Sequence, residues 1–414
     1  MRISTLVVCL FAMNFFTFSQ IIQSGNLENH LNAIITTLPG ANGNEYTSPT
    51  SNELLDWNVV INDILLGNYS NANTGANALD YDLIEYTDLP SSEIHHILQE
   101  KVTSTKFWGT YVFNAAPCRE NLILQSPHSK FDFNTGKESV YCYTRLNAKS
   151  LFINGTHRCN HSDLSTCDGT TTSCSGSSSA FSISDMAHNT NSIFQATTSA
   201  LFNQNSNSIF IQLHGFTKQP TDPYVIMSNG TRETPANDVI LSIQSELELI
   251  DNVLTFKIAH IDQSWTRLIA FTNTQGRLVN NSTNHCNSAA TMSNGNFVHI
   301  EQEKDRLRLD ATGWDKIKLA LENVFQCNIV GIEGGIISEK LIVSPNPTSK
   351  DEISITSEKF QKIIIRDTKG KEVFIKGYNH ESSTQIDVTE FKKGMYFIQI
   401  FNKKGVIQSK LIIK

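Results

Sequence analysis

The chain has 414 residues, a formal net charge of -7 at pH 7 and 39% hydrophobic residues. On a prior of roughly 150 residues per domain, this length allows one sizeable core and a smaller module. The negative charge is spread along the chain without a basic block, which argues against a nucleic-acid partner.

Residues 1–19 have the pattern of an export signal. A short positive start, Met1-Arg2, precedes an apolar run that extends to Phe18, and the small residue Ser19 follows. The run is shorter than the roughly 20 residues that span a bilayer. We therefore expect a signal peptide cleaved near Ser19 rather than a membrane anchor. No other stretch reaches transmembrane length, so we expect no transmembrane segment.

Residues 20–107 carry little recognisable chemistry. Trp57, Tyr81 and Tyr86 stand among short apolar runs, which suggest strands or packing against the region that follows. The sequence leaves open whether this part is a lid or a separate β layer. We treat it as an N-terminal extension of one domain, residues 20–330.

From residue 121 onward, short apolar runs alternate with segments of helical spacing. The runs at 121–125, 150–153, 208–213 and 297–300 indicate strands, and the segments 136–147, 185–202 and 314–325 indicate helices. Strands interleaved with helices of 10 to 15 residues predict an α/β fold with a mainly parallel sheet flanked by helices. In such sheets ligands bind at the carboxyl ends of the strands.

Polar residues follow four of the predicted strands directly. The first strand runs into His128, the second into His157 and Arg158, the third into His214, and the last ends at Glu301. Two histidines and a carboxylate with an open fourth position form a catalytic zinc site. Such a metal lowers the pKa of its water to about 7, and a nearby glutamate can move the proton. An arginine can hold the developing oxyanion or a substrate carboxylate.

The layout resembles the N-formylglutamate amidohydrolase group, a relative of the zinc carboxypeptidases. The matching segments are SPHSKFD, IQLHGF and VHIEQEKDRLR, followed by a helix, and they cover about residues 105–326. The resemblance implies that His128 and His214 bind Zn²⁺ and that Glu301 is the general base. Carboxypeptidases use His-x-x-Glu, whose acid would fall on Phe131. Asp132, one residue later, is therefore the candidate third ligand.

The metal ligands and the base each have a simpler interpretation. His128 could be a surface turn residue, and His214 a hydrogen-bonded core histidine. Asp132 could form an Asx turn or cap the helix that follows it. Glu301 competes with Glu303, which alternation places on the same strand face; we prefer Glu301 because it follows the apolar run directly.

Four further residues are candidates for contacts with the substrate. Arg158 is a candidate for the substrate or oxyanion contact, and His157 beside it for substrate binding, although the two could be a packed loop pair. Asp185 and His188 are also candidates for substrate binding, although they could cap the helix predicted at 185–202.

The composition changes near residue 330. Residues 331–340 include Gly334-Gly335 and read as a linker, and short β-branched runs separated by turns follow from residue 341. That spacing predicts a small all-β sandwich. The segments SPNPT, IIIRDTKGKEV and IDVTEFKKGMYFIQI resemble the type A sorting domain of the type IX secretion system and cover essentially all of 341–414. The resemblance implies the type IX machinery as a partner, secretion or display at the cell surface, and removal of the tail.

Seven cysteines remain after the signal, and an exported protein meets oxidising conditions in which some should pair. Cys167 and Cys174 flank a short Gly/Ser/Thr-rich loop and are predicted to pair with each other. The odd count leaves at least one free thiol. No CxxC motif is present, which argues against a structural thiolate-zinc site.

Two classes of function remain open at this stage. The first is a secreted zinc-dependent hydrolase that cleaves an amide bond in a small molecule, a peptide or a peptidoglycan-like substrate. The second is a cell-surface adhesin or glycan-binding protein without catalysis. A serine hydrolase is disfavoured because the sequence lacks a Gly-x-Ser-x-Gly elbow. The zinc hydrolase and the adhesin are distinguished by whether the side chains of the histidines and a carboxylate lie close enough to bind one metal ion.

Overall fold

The computed structural model describes residues 20–327, 341–368, 371–402 and 405–414. The described residues form two compact units, one up to residue 327 and the other from residue 341. The expected signal peptide (1–19) and linker (331–340) lie outside the described residues. Within the described ranges, no helix has the length and apolar character needed to cross a membrane.

The first unit is built on one mixed sheet of ten strands. These are β1 (Ile21–Gly25), β2 (Tyr81–Asp88), β3 (Ile94–Glu100), β4 (Thr110–Asn114), β5 (Arg119–Ser126), β6 (Ala148–Ile153), β7 (Ile209–Phe216), β8 (Val225–Ser228), β9 (Phe256–Ile258) and β10 (Phe297–Glu303). Their order is β1-β2-β3-β4-β6-β5-β7-β10-β8-β9. The central strands β6, β5, β7 and β10 are parallel to one another. This confirms the predicted α/β fold with a mainly parallel sheet.

Helices cover both faces of this sheet. They are α1 (Leu27–Thr37), α2 (Ser51–Leu65), α3 (Tyr69–Ala78), α4 (Thr135–Leu146), α5 (Ile193–Gln204), α6 (Val239–Ile250), α7 (Thr274–Val279) and α8 (Ala311–Val324). Side chains of α1, α4, α6 and α8 share one hydrophobic core. Those of α2, α3, α5 and α7 share the other. The unit therefore has three layers, with the sheet in the middle.

Residues 20–107 belong to this same architecture. Strands β1 to β3 lie at one edge of the sheet, and α2 begins with a capping box between Thr50 and Glu53. Trp57 of α2 is fully buried, and its indole N–H donates to Thr197 Oγ1 at 2.8 Å. The region is therefore part of the core rather than a lid or a separate β layer.

The alternation of side chains along the strands divides apolar from polar residues. On β7, Ile211 and Leu213 join the core beneath α4 and α8. Gln212 and His214 point to the opposite face, because successive residues of a strand alternate between faces. Parallel pairing sets Glu301 beside His214 and His299 beside Gln212. A row of buried polar side chains therefore lies near the carboxyl ends of the central strands.

The disulfides differ from the predicted pair. Cys174 bonds to Cys159 and Cys167 bonds to Cys286, so the predicted Cys167–Cys174 bridge is wrong. Arg277 forms an ion pair with Asp168 and donates to the carbonyl of Cys286, which holds these two loop segments together. Proximity in sequence gave no sign of that long-range contact. The third bridge joins Cys118 to Cys327, and Cys142 is the free, buried thiol that the odd count required.

The second unit is all-β, as predicted. It contains β11 (Ile342–Ser344), β12 (Glu352–Asp367), β13 (Glu372–Asp387), β14 (Gly394–Asn402) and β15 (Gly405–Ile413). They form a five-stranded sheet of order β11-β12-β14-β15, with β13 also paired to β12. All of these pairings are antiparallel. Alternate residues such as Ile363, Ile365, Ile398 and Ile400 form its buried core.

Candidate metal centre

A tight turn after β5 brings His128 and Asp132 together. The backbone N–H groups of Phe131 and Asp132 both donate to the carbonyl of His128 at 3.0 Å. Residues four apart in such a turn lie on the same side, and His128 Nδ1 is 3.4 Å from Asp132 Oδ2. Asp132 therefore faces the imidazole rather than capping helix α4, whose N-cap is Asn134.

His214, near the end of β7, completes a triangle with these two residues. Its Nδ1 lies 3.1 Å from His128 Nδ1 and 3.5 Å from Asp132 Oδ2. Tetrahedral zinc with bonds of about 2.0–2.2 Å keeps neighbouring ligand atoms about 3.3–3.6 Å apart. Two of the three distances fall in this range and the third is just below it, so the atoms have nearly the spacing of one face of a zinc tetrahedron. All three side chains are only 3% exposed.

Each imidazole is held through its other nitrogen. His128 Nε2 lies 2.9 Å from Asp185 Oδ1, and His214 Nε2 lies 3.2 Å from the amide oxygen of Gln212. Burial disfavours the charge on Asp185, but Arg158 and His128 outweigh it and hold its pKa well below the usual range. An ionised carboxylate only accepts hydrogen bonds, so the proton of neutral His128 is on Nε2. Its Nδ1 lone pair then points at the triangle.

The three atoms of this triangle form a candidate cation site. With both imidazoles protonated on Nε2, two nitrogen lone pairs and a carboxylate oxygen face the same point without a donor between them. Burial opposes the charge on Asp132 as well, yet the two histidines hold the pKa of Asp132 well below its usual range. Its Oδ2 accepts one further hydrogen bond, from the Gly215 N–H at 3.1 Å. Two nitrogens and one carboxylate oxygen are a donor set that suits zinc.

Glu301 lies beside the triangle on the adjacent strand. Its Oε2 is buried and finds no hydrogen-bond partner within the part of the chain that the structure describes. Burial, and next the charge of Asp132, raise the pKa of Glu301 to about 8. The competing residue, Glu303, instead accepts hydrogen bonds from the backbone N–H groups of Asp305 and Arg306. Glu303 therefore has a structural role at the end of the strand.

His299 is a further residue of this centre, and the sequence interpretation missed it. Its ring centroid lies 4.3 Å from that of His214, and its Nε2 is 3.6 Å from Glu301 Oε1. Ligand atoms of His214, His299 and Glu301 all lie within 4.8 Å of one another. Burial, and next the charge of His214, hold the pKa of His299 far below its usual value. The signal was present in VHIEQE, since residues two apart on a strand share a face.

Arg158 reaches the edge of the triangle. Its Nε donates to Asp185 Oδ2 at 2.9 Å and its Nη2 donates to the same oxygen. Its Nη1 lies 3.4 Å from His128 Nδ1. Asp185 itself is fully buried behind His128. The structure therefore brings both predicted residues to the centre, with Asp185 placed to orient an imidazole rather than to contact a substrate.

The ring contacts and hydrogen bonds of His157 and His188 are made with groups other than the three ligand atoms. The ring of His157 packs against Phe131 at 5.0 Å, and its Nδ1 accepts from the backbone N–H of Cys159. His188 stacks on Phe181 at 3.6 Å, and burial lowers the pKa of His188 to about 3. Asp185 and His188 do not open the predicted helix: Asp185 is the N-cap of a short 3₁₀ turn, Met186–His188, and α5 begins only at Ile193, capped by Ser192.

Residues 342–414 match the family model described as a secretion system C-terminal sorting domain. This confirms the identification of the tail, and the protein is one that is secreted or displayed at the cell surface. No curated protein matches the sequence.

Three solved structures are similar to parts of the chain. N-formylglutamate amidohydrolase from Ralstonia eutropha JMP134 is 12% identical, covers 53% of this chain and 96% of its own, and has a TM-score of 0.32. A protein assigned as a carboxypeptidase A from Shewanella denitrificans OS-217 is 11% identical over 52% of this chain and 59% of its own, with a TM-score of 0.29. The CBM51-2 and INT domains of Clostridium perfringens ZmpB are 14% identical over 16% of this chain and 17% of their own, with a TM-score of 0.15.

The chain thus spans less than two thirds of two of these three proteins. Identities and TM-scores this low say nothing about what the chain binds or converts. The chemistry proposed below therefore rests on the geometry of the centre itself.

Proposed function

We propose that this secreted protein is a zinc-dependent hydrolase of amide bonds. His128, Asp132 and His214 hold the metal in this proposal, and the observation that carries it is the triangle of three acceptor atoms with edges of 3.1, 3.4 and 3.5 Å. An adhesin or glycan-binding protein has no need for such convergence among buried side chains. The substrate class is an amide of a small molecule, a peptide or a peptidoglycan-like polymer.

The residues around the triangle divide the chemistry between them. When bound, zinc supplies Lewis acidity toward water and toward the scissile carbonyl group. Glu301 takes a proton from the attacking water and returns it to the leaving nitrogen. The buried Oε2 of Glu301, which has no hydrogen-bond partner within the described residues, is free to accept and release that proton.

Arg158 contributes a fixed positive charge in this scheme. Because its Nε and Nη2 are bound to Asp185, the guanidinium does not have to reorganise during the reaction. Preorganised charge of this kind stabilises a developing oxyanion more effectively than a mobile group does. Its Nη1, the nitrogen nearest the ligand atoms, is the one we assign to this contact.

Two substitutions on one strand test the role of Glu301. We expect Glu301→Gln to retain zinc and to lower turnover of amide substrates by about 10²–10⁴-fold, since the amide cannot accept the proton. Glu303→Gln is the matched control, because that side chain accepts hydrogen bonds from the backbone N–H groups of Asp305 and Arg306 at the strand end. Metal content and hydrolysis of a panel of N-acyl amino acids and short peptides are measured for both. Equal losses in the two variants would remove Glu301 from the mechanism.

His214→Ala tests the ligand role separately. Loss of one of three protein ligands should abolish both bound zinc and hydrolysis. Retention of one zinc per chain by a folded His214→Ala protein would refute the proposed coordination.

A further inference from the structure

A chain of buried amide side chains runs beneath His214. It comprises Gln125, Gln195, Gln212, Asn273 and Gln275, of which Gln125, Gln212 and Gln275 are 0% exposed. An amide removed from water is destabilising unless its donors and acceptors are paired. These side chains therefore pair with one another and with the backbone, and the direction of each hydrogen bond restricts the next.

The first anchor of this chain is a backbone carbonyl. The Nε2 of Gln275 donates to the carbonyl oxygen of Met186 at 2.8 Å and to Gln195 Oε1 at 2.7 Å. A carbonyl oxygen only accepts, so the nitrogen of Gln275 must face it. The Oε1 of Gln275 then faces Gln212 and accepts from Gln212 Nε2 at 3.0 Å.

The second anchor is a backbone N–H group. Asn273 caps helix α7 by accepting from the N–H of Gly276 with Oδ1, at 2.8 Å. An N–H group only donates, so the other end of this amide must be its nitrogen. That nitrogen donates to Gln212 Oε1 at 2.7 Å. Both anchors therefore give Gln212 the same orientation, with its oxygen toward His214.

From these contacts we infer that Gln212 is a positioning residue that fixes the tautomer of His214. The Oε1 of Gln212 can only accept, so the Nε2 of His214 at 3.2 Å is the protonated nitrogen. The Nδ1 lone pair of His214 is thereby directed at Asp132 and His128, as a metal ligand requires. The consequence for metal binding rests on the proposed function, whereas the tautomer is a property of the metal-free protein.

Gln125 provides a matched control. It occupies the same face of the neighbouring strand, in register with Gln212, and is equally buried. It accepts from Gln212 Nε2 at 2.9 Å and donates to Thr198. Replacing it removes a buried amide of the same size but leaves both anchors of Gln212 intact.

The test compares Gln212→Leu with Gln125→Leu. The ¹⁵N chemical shifts of the His214 ring are measured in the metal-free protein, and zinc affinity is measured by competition with a chromophoric chelator. We expect the wild type and Gln125→Leu to carry the His214 proton on Nε2 and to bind zinc alike. Gln212→Leu should lose this single tautomer and bind zinc about 10–100-fold more weakly, the usual effect of removing such a partner.

Two of the possible outcomes would overturn the inference, and one would refute only the proposed function. A Gln212→Leu protein that keeps the Nε2–H tautomer would overturn it, as would an equal loss of zinc affinity in Gln125→Leu. If Gln212→Leu does not fold, Asn273→Asp keeps the helix cap but sets an oxygen against Gln212 Oε1, and it should weaken zinc in the same direction. A wild type with the Nε2–H tautomer that binds no zinc would refute the proposed function while leaving the role of Gln212 intact.

Discussion

At the residue scale, the imidazoles of the two proposed histidine ligands, His128 and His214, are held through Nε2 by chemically different groups. A carboxylate, Asp185, lies behind His128, and an amide, Gln212, lies behind His214. Both partners accept the Nε2 proton and so direct Nδ1 toward the same point. Partners of this kind set the orientation and the basicity of metal-binding histidines.

Asp185→Asn tests the carboxylate behind His128. A neutral amide accepts the Nε2 proton more weakly and leaves Arg158 without its partner, so we expect zinc affinity to fall about 10–100-fold. Asp168→Asn is the control. Asp168 lies in the same loop as Asp185, between β6 and α5, but it pairs with Arg277 outside the centre. Chelator competition on both variants gives the measurement. Equal affinities in Asp185→Asn and the wild type would show that Asp185 does not support the metal.

The sequence predicted the candidate site residues that follow strands, but it did not predict which residues hydrogen-bond to the proposed histidine ligands. His128, His214 and Glu301 were predictable, because the carboxyl ends of neighbouring parallel strands meet at one edge of the sheet. The supporting role of Asp185 was not, since its loop had to fold back over the sheet before the carboxylate could reach His128. Gln212 and His299 lie within their strands, two residues before His214 and Glu301 respectively. A polar residue at such a position interrupts an apolar run and by itself carries no sign of a functional role.

At the element scale, the loop between β6 and α5 decides where Arg158 and Asp185 lie. It contains little regular structure: residues 172–178 are exposed, and two isolated bridges, Leu164↔Ser182 and Thr171↔Ser179, are its strand-like pairings within the described chain. Cys159, the residue after Arg158, forms a disulfide with Cys174. Disulfides therefore cross-link a segment that has little secondary structure.

Removing this disulfide should weaken the metal centre. We expect the Cys159→Ser/Cys174→Ser double variant to bind zinc more weakly, because Arg158 and Asp185 lose the constraint between them. The control is Cys118→Ser/Cys327→Ser, which opens a bridge with a sequence separation of 209. In the chain-entropy model the shorter loop is worth about 3 kcal/mol and the longer about 5 kcal/mol. The control should therefore lower the melting temperature more and yet keep the zinc affinity.

The opposite pattern, with zinc affinity following thermal stability in both double variants, would show that the disulfide acts only through global stability. Chelator competition and thermal unfolding of the same four samples, wild type and reduced wild type included, distinguish the two cases.

Periodicity predicted the longer elements well and the short ones poorly. Helices α4 and α8 begin and end within a few residues of their predicted positions. Strand β8 has four buried residues, too few to show a period, and the sequence interpretation did not separate it from its surroundings. The start of α5 was placed too early because the polar cluster at Asp185 resembles a cap. The actual cap is Ser192.

At the scale of the whole molecule, the chemistry and the targeting signal occupy different units. The proposed ligands and base lie between residues 128 and 301, whereas the sorting domain spans 342–414. Loss of the tail should therefore leave the metal centre unchanged. The sorting domain implies an interaction with the secretion machinery.

We expect processing at both ends during export. The mature protein should lack about the first 19 residues and the part after roughly residue 340, because the signal pattern and the sorting domain are both transport addresses. Intact mass of the protein recovered from the culture medium, measured under denaturing conditions, gives both ends. A secreted form that retains Lys414 would contradict removal of the tail.

The most direct test of the central claim is the metal content of that mature protein. Native and denaturing mass spectra of one sample, with elemental analysis of the same preparation, give the number and identity of bound ions. We expect one zinc per chain, lost on chelation and lost in His214→Ala. A folded, metal-free wild type that binds no zinc when zinc is supplied would contradict it, and would mean that a proton rather than a metal ion joins His128, Asp132 and His214.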